Sequence, residues 1–304
     1  MISRNTHNGF VWIDLDSPTI DEVKSVMDEF SIHPIAAEEM LLPTSKPKIK
    51  GYDDFFYMVL HFPAWRHSHK EVMQEVDFII GKKFLITTRY DSVDAIHKFA
   101  KTLEVGNILH DKVFSGSHAG GLFYLLLRDL YTSLEDELDY LGDSLRVAEE
   151  NIFAGREQEM VIKLSSVSRE LLSFKHATGL HKNILDRLEL SATAIFGKSF
   201  SVISSAIKSE YENITRSVDG YLESLIELRE TNNAILETKQ NKIIQTLTVI
   251  TFVTSMLAIF FALLQIDTVA RPIVGMENDF WLIVGITFSI SGIMLAVFKW
   301  RKWL

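Results

Sequence analysis

Thr246 to Leu264 reads TLTVITFVTSMLAIFFALL, and Phe280 to Phe298 reads FWLIVGITFSISGIMLAVF. Each is an uncharged run of about nineteen residues, enough at 1.5 Å per residue to cross a hydrocarbon core of about 30 Å. Two membrane spans are therefore expected, and everything else in the chain is read outward from them. Lys239 and Lys242 precede the first run, and Lys299, Arg301 and Lys302 follow the second as a basic tail. The segment between the runs carries Asp267, Arg271, Glu277 and Asp279. The positive-inside rule then places both termini in the cytoplasm, with Trp281, Trp300 and Trp303 as interfacial anchors. The expected location is the cell (inner) membrane, as a multi-pass protein.

The bulk composition agrees with that division. In 304 residues, 47% are hydrophobic and 23% charged, so apolar residues are concentrated locally. There are no cysteines, which excludes disulfides, thiolate metal sites and cysteine nucleophiles. A net charge of −9 argues against a nucleic-acid partner, whose phosphates require basic patches. The N-terminus MISRNTHNGFVWIDL contains no secretory signal pattern.

Residues 1–117 read as an N-terminal α/β domain. GFVWIDL, DFFYMVLHF, EVDFIIG and KFLITTR have strand character, and the GKK at 81–83 suits a tight hairpin. SPTIDEVKSVMDEF predicts a helix with Ser17 as N-cap and Pro18 at its first position. Residues 118–245 form a helical stalk: one helix over Leu122–Ile152, a second over Met160–Leu188 and a third from near Ser199. No glycine stands between Gly220 and Gly275, so the third helix can run unbroken to Ile266, a length of roughly 100 Å. Residues 246–304 form the membrane hairpin, with spans at 246–266 and 280–298 and an outer loop at 267–279. The class is α+β.

At a spacing of three or four residues the third helix presents Glu230, Asn233, Glu237, Asn241, Ile244, Thr248, Thr251, Ser255, Ala258, Ala262 and Gln265. Small and hydroxylated residues on one face suit close helix packing, and they equally suit a pore lining with acceptors for a hydrated cation. Ile244 or Leu247 would form a hydrophobic gate able to dewet. Two spans per chain enclose no pore alone, so conduction requires a symmetric oligomer.

WIDL (Trp12–Leu15), FSIHPIAAEEML and KPKIKGYDDFFYMVL, with NKIIQTLTVIT (Asn241–Thr251) and the closing KWRKWL, resemble the CorA family of divalent metal transporters. The likeness covers nearly the whole chain, and His33, Pro34, Glu38, Pro47, Lys48, Tyr52 and Asp53 carry its N-terminal part. It implies a funnel-shaped homopentamer, a stalk helix that becomes the pore-lining helix, and passive divalent-cation flux gated through the cytoplasmic domain.

The family's signature is Gly-Met-Asn at the outer end of the first span. Alignment from LTVIT forward and from the terminal WL backward places it on Gln265, Ile266 and Asp267. The chain is thus similar to a divergent member without the signature there. GMEN (Gly275–Asn278) falls ten residues later, at the end of the outer loop; a register with GMEN as the displaced motif is the alternative, and it would hold Asp267, Arg271 and Pro272 at bilayer depth. Asp267 would present a carboxylate ring where the family has asparagine. Its members would repel by about 0.5 kcal/mol at about 8 Å in water, which a bound cation offsets. An outer-sphere Mg²⁺ site can use either oxygen type. The outer mouth is therefore assigned to Gln265, Asp267, Glu277 and Asp279.

His61, His67 and His69 read as a solvated loop rather than a transition-metal site, and SGSHAGG lacks a Walker lysine. Asp91 and Asp94 read as ordinary surface charge or, by the resemblance, as candidates for a regulatory metal between subunits. No catalytic constellation is found, so an enzyme is not expected. Nor is a resident cofactor: divalent cations, Mg²⁺ and with it Co²⁺, Ni²⁺ or Zn²⁺, are cargo and regulatory ligand, and the other partners are the bilayer and further copies of the chain. A weakly selective or efflux-type pathway and a non-conducting membrane scaffold stand as alternatives.

Overall fold

The computed structural model describes residues 1–7, 9–63, 73–91, 93–108, 119–266, 273–275 and 278–301. The elements are β1 (Ile2–His7), β2 (Phe10–Asp16), α1 (Ile20–Phe30), α2 (Pro34–Glu39), β3 (Lys48–Gly51), β4 (Phe55–Pro63), β5 (Met73–Gly81) and β6 (Phe84–Arg89). They continue with α3 (Asp94–Ile108), α4 (Gly120–Phe153), α5 (Glu157–Gly179), α6 (His181–Phe196), α7 (Phe200–Leu264) and α8 (Asp279–Trp300). The chain divides into two compact units, Met1–Arg229 and Glu230–Leu304, and α7 continues through the division.

In the first unit the strands form one sheet in the order β1-β2-β6-β5-β4-β3. The β2–β6 pair is parallel and the other pairs are antiparallel. Strand β4 is buried along its whole length, which means that both faces of the sheet are covered. On one face Ile13, Leu15, Tyr57, Val59, Ile79 and Ile86 pack against Val23 and Val26 of α1 and Ala36 and Ala37 of α2. On the other, Phe56 meets Phe123 of α4, Phe196 of α6 and Phe200 of α7, all edge-on. Trp12 meets Phe99 of α3 in the same way.

The four strand-like runs of the sequence are β2, β4, β5 and β6, with Lys82 and Lys83 closing the hairpin between the last two. β1 and β3 carry no such signal: ISRNTH and KIKG are polar segments held at the two edges of the sheet, where one partner strand suffices. The N-cap of α1 is Thr19, not Ser17. The Thr19 hydroxyl accepts from the Glu22 amide while the Glu22 carboxylate accepts from the Thr19 amide, a reciprocal pair that Ser17 is too far upstream to make. The single helix expected over Met160–Leu188 is two, α5 and α6, interrupted at Leu180 directly after Gly179. Glycine weakens the helix by about 1 kcal/mol at that point. The interruption precedes His181, which is fully buried.

Candidate ion pathway

Within the second unit, α7 has two distinguishable sides. Val249 is buried, and Val253, Leu257, Phe260 and Leu264 are partly covered. Beside this stripe Phe252 meets the Phe298 ring of α8 edge-on at 5.8 Å. At 3.6 residues per turn, Thr248, Thr251, Ser255, Ala258, Ala262 and Gln265 lie on the opposite side of the helix. All six are exposed, as are Glu230, Asn233, Glu237, Asn241 and Ile244 before them. Leu247 is 57% exposed and adjoins the line. Among the described residues the polar face is therefore continuous and uncovered.

Thr248 has a local arrangement that bears on ion contact. Its hydroxyl donates to the carbonyl of Ile244 at 2.8 Å, which satisfies the donor and leaves the oxygen lone pairs for a cation or its water.

The residues expected at the outer mouth are described in part. Gln265 and Ile266 follow α7 directly and are exposed. Asp267 and Glu277 lie outside the described residues. Of GMEN, Gly275 has a φ of 102° and Asn278 immediately precedes α8. Asp279 is the first residue of α8, and its carboxylate accepts from the backbone amides of Gly275 at 2.9 Å and Phe280 at 2.7 Å. A carboxylate at this end of a helix also complements the helix dipole. At the other end of α8 stand Lys299, Trp300 and Arg301, and Lys302 lies outside the described residues. Trp281 and Trp300 are both strongly exposed. They are separated by about 28 Å along the helix, close to the thickness of a hydrocarbon core. Among the described residues, α7 and α8 are the helices long and apolar enough to cross a membrane.

In the first unit, Asp91 is partly buried and its backbone carbonyl accepts from Arg89 at 3.1 Å, while Asp94 begins α3. Among the described residues no group of three His, Asp or Glu side chains is arranged to hold a metal ion. His67 and His69 lie outside the described residues. The loop assignment fails for His61, which belongs to β4 and is 6% exposed. Its Nε2 donates to the Thr44 carbonyl at 2.8 Å and lies 3.2 Å from Glu75 Oε2. Burial pulls the His61 pKa down, but the bonds to Glu75 and Thr44 outweigh it and hold it above the ordinary value.

Glu75 and Asp77 went unnoticed in the sequence. The signal was present: two carboxylates two residues apart in a strand project from the same face, and EVDFIIG is apolar around them.

A family model described as CorA-like Mg²⁺ transporter protein matches residues 7–300. The chain belongs to this family. The cobalt/magnesium transport protein CorA of Thermotoga maritima is 20% identical to it over 295 residues, covering 96% of this chain and 83% of that relative. The CorA of Methanocaldococcus jannaschii is 19% identical over 297 residues, covering 97% and 91%. The complete structure of the M. jannaschii CorA magnesium transporter superposes with a TM-score of 0.82 at 19% identity, covering 99% of this chain and 93% of that one. The full-length CmaX protein superposes at 0.72 with 15% identity, covering 98% and 90%. The CorA architecture is therefore shared from end to end: a sheet-containing N-terminal part, a long helix and two apolar C-terminal helices.

Proposed function

We propose that this chain is the subunit of a membrane pathway for divalent cations, Mg²⁺ foremost, with Co²⁺, Ni²⁺ or Zn²⁺ as further cargo. Membership of the CorA-like family supports the transport class. The observation that carries the reading for this chain is the uncovered polar line on α7, set opposite the side that is covered. A helix that leaves polar groups free at membrane depth needs a water-filled space or a copy of itself to face. Five chains around an axis supply both. Glu237, Asn241, Thr248, Thr251 and Ser255 then line the pathway, and Ile244 and Leu247 close it by dewetting.

The outer mouth is formed by Gln265 and Asp267, with Glu277 and Asp279 raising the local cation concentration. Both termini face the cytoplasm of a cell whose inner membrane holds the protein, as the charges around the two spans suggest. Regulation proceeds through the N-terminal unit. Metal bound at Asp91 and Asp94 needs a neighbouring subunit to complete its ligand set. A weakly selective pathway is the second reading, favoured by Gln265 and Asp267 at the place of the family's Gly-Met-Asn.

Ion flux into proteoliposomes tests the proposal. Wild type should admit Mg²⁺, Asp267→Ala should lose most of that flux, and Asn278→Ala should retain it. Flux of no cation overturns the transport reading, and loss in Asn278→Ala alone moves the mouth to GMEN. Equal flux of monovalent and divalent ions selects the weakly selective pathway.

A further inference from the structure

The face of the sheet under α1 and α2 holds a cluster of acids that the ion pathway does not use. Asp77 and Glu75 stand on β5 facing the same way, and they are 1% and 7% exposed. Asp77 Oδ2 accepts from the hydroxyl of Tyr57 at 2.8 Å, and the Tyr90 hydroxyl, with one hydrogen to give, lies 3.4 Å from both that oxygen and the Glu39 carbonyl. Its Oδ1 is buried and receives no donor. Glu75 accepts from the Thr44 amide at 2.9 and 2.7 Å and from the Thr44 hydroxyl at 3.2 Å, and its Oε2 lies 3.2 Å from His61 Nε2.

Among the described residues, few groups face the pair. They are Glu39 on α2, Thr44 between α2 and β3, Lys48 on β3, Tyr57 and His61 on β4, and Tyr90 after β6. Lys48 pairs with Glu39 at 2.9 Å, and His61 is taken by Glu75. Among the described residues no cationic side chain bonds to Asp77. Three carboxyl groups thus share one lysine and one histidine. An isolated buried carboxylate costs several kcal/mol, and the usual escape is to keep the proton.

We propose that Asp77 is a neutral carboxylic acid that shares its proton with Glu75, and that this proton makes the packing of α2 and β3 on the sheet pH-sensitive. The proton explains the orphaned Oδ1: an O–H there is a donor, and Glu75 is the acceptor. Burial first, then the charge of Glu75 and the hydrogen bond to it, hold Asp77 well above the usual carboxylate range, against weaker opposition from Tyr57 and Lys48. Alkali removes the proton to solvent and leaves two adjacent buried negative charges. The contact that gives way is the one over them, where the Tyr90 hydroxyl is shared between Asp77 and the Glu39 carbonyl and Lys48 pairs with the Glu39 carboxylate. A raised carboxyl pKa stabilises the fold below the unfolded value and is lost as pH rises through the folded one.

Infrared spectroscopy of the full chain in detergent, labelled with ¹³C-aspartate, tests this. Wild type should show the carbonyl stretch of a protonated aspartic acid at neutral pH, titrating away at higher pH. Asp77→Asn should lose that band, and Glu75→Gln should shift its midpoint to lower pH. The protection of the β3 amides, taken relative to intrinsic exchange at each pH, should fall as pH rises in wild type and stay flat in Asp77→Asn. A wild type without the band at neutral pH overturns the proposal, as does a band that survives Asp77→Asn. A midpoint unmoved by Glu75→Gln removes the shared proton. The wild-type titration stands by itself if a variant does not fold.

Discussion

His181 Nε2 lies 2.8 Å from the carbonyl oxygen of His61, a single bond joining the first turn of α6 to strand β4. A carbonyl only accepts, so Nε2 carries the hydrogen, and Nδ1 is left to accept from the Tyr131 hydroxyl at 2.9 Å. The ring is neutral, and burial pushes its pKa down to about 4.

That depression makes a pH prediction. The unfolded chain takes up a proton near pH 6.5, whereas the folded chain resists until about 4. The stabilisation is full above the unfolded value and lost as pH falls through the folded one, by roughly 3 kcal/mol in all. His181 should therefore contribute a slope that lowers the thermal stability of the full chain from neutral pH towards pH 5, opposed by Asp77 and His61, whose folded values are raised. His181→Phe should flatten that slope and lower stability at neutral pH by about 2–4 kcal/mol, because the Tyr131 hydroxyl and the His61 carbonyl lose their partner.

The pair Asp14–Arg89 should respond to single and double substitution in opposite senses. Arg89 Nε donates to Asp14 Oδ2 at 3.1 Å, and Asp14 Oδ1 accepts from Thr87, whose hydroxyl accepts from Trp12 Nε1. Both side chains are buried. Arg89→Met leaves a buried charge unpaired and should cost about 3–5 kcal/mol in denaturant unfolding. Adding Asp14→Asn should recover most of that loss.

On the proposed pathway Ile244 is the residue expected to control resting flux. It is exposed in the single chain and sits between Asn241 and Thr248 on the polar line. Ile244→Asn should wet the constriction and raise proteoliposome flux about tenfold, a barrier change of roughly 1.4 kcal/mol. An unchanged rate would move the gate elsewhere.

Asp279 separates charge from structure. Its carboxylate holds the Gly275 and Phe280 amides, so Asp279→Ala should speed hydrogen exchange there, with a loss of about 1 kcal/mol. Asp279→Asn keeps an acceptor and should leave exchange unchanged. If the charge gathers cations at the mouth, flux should fall in both variants.

What could be read without the structure depended on distance along the chain. The strands β2, β4, β5 and β6 came from runs of a few residues, and the polar line on α7 came from helical spacing. Both are local properties, since side-chain direction repeats every two residues in a strand and every 3.6 in a helix. The break at Leu180 was harder, because Gly179 only lowers the cost of a break and His181, held between β4 and α4, places it.

The sequence by itself determined that two apolar helices end this chain, that a mixed sheet and helix domain begins it, and that α7 carries a polar line. Only the tertiary structure decided that His61 is a buried strand residue, and that Glu75 and Asp77 meet Thr44 and Tyr57 in the interior. The physical reason is burial. A carboxylate's neighbours and solvent access depend on which distant segment covers it, and two acids in a strand read alike whether water or a helix lies above them.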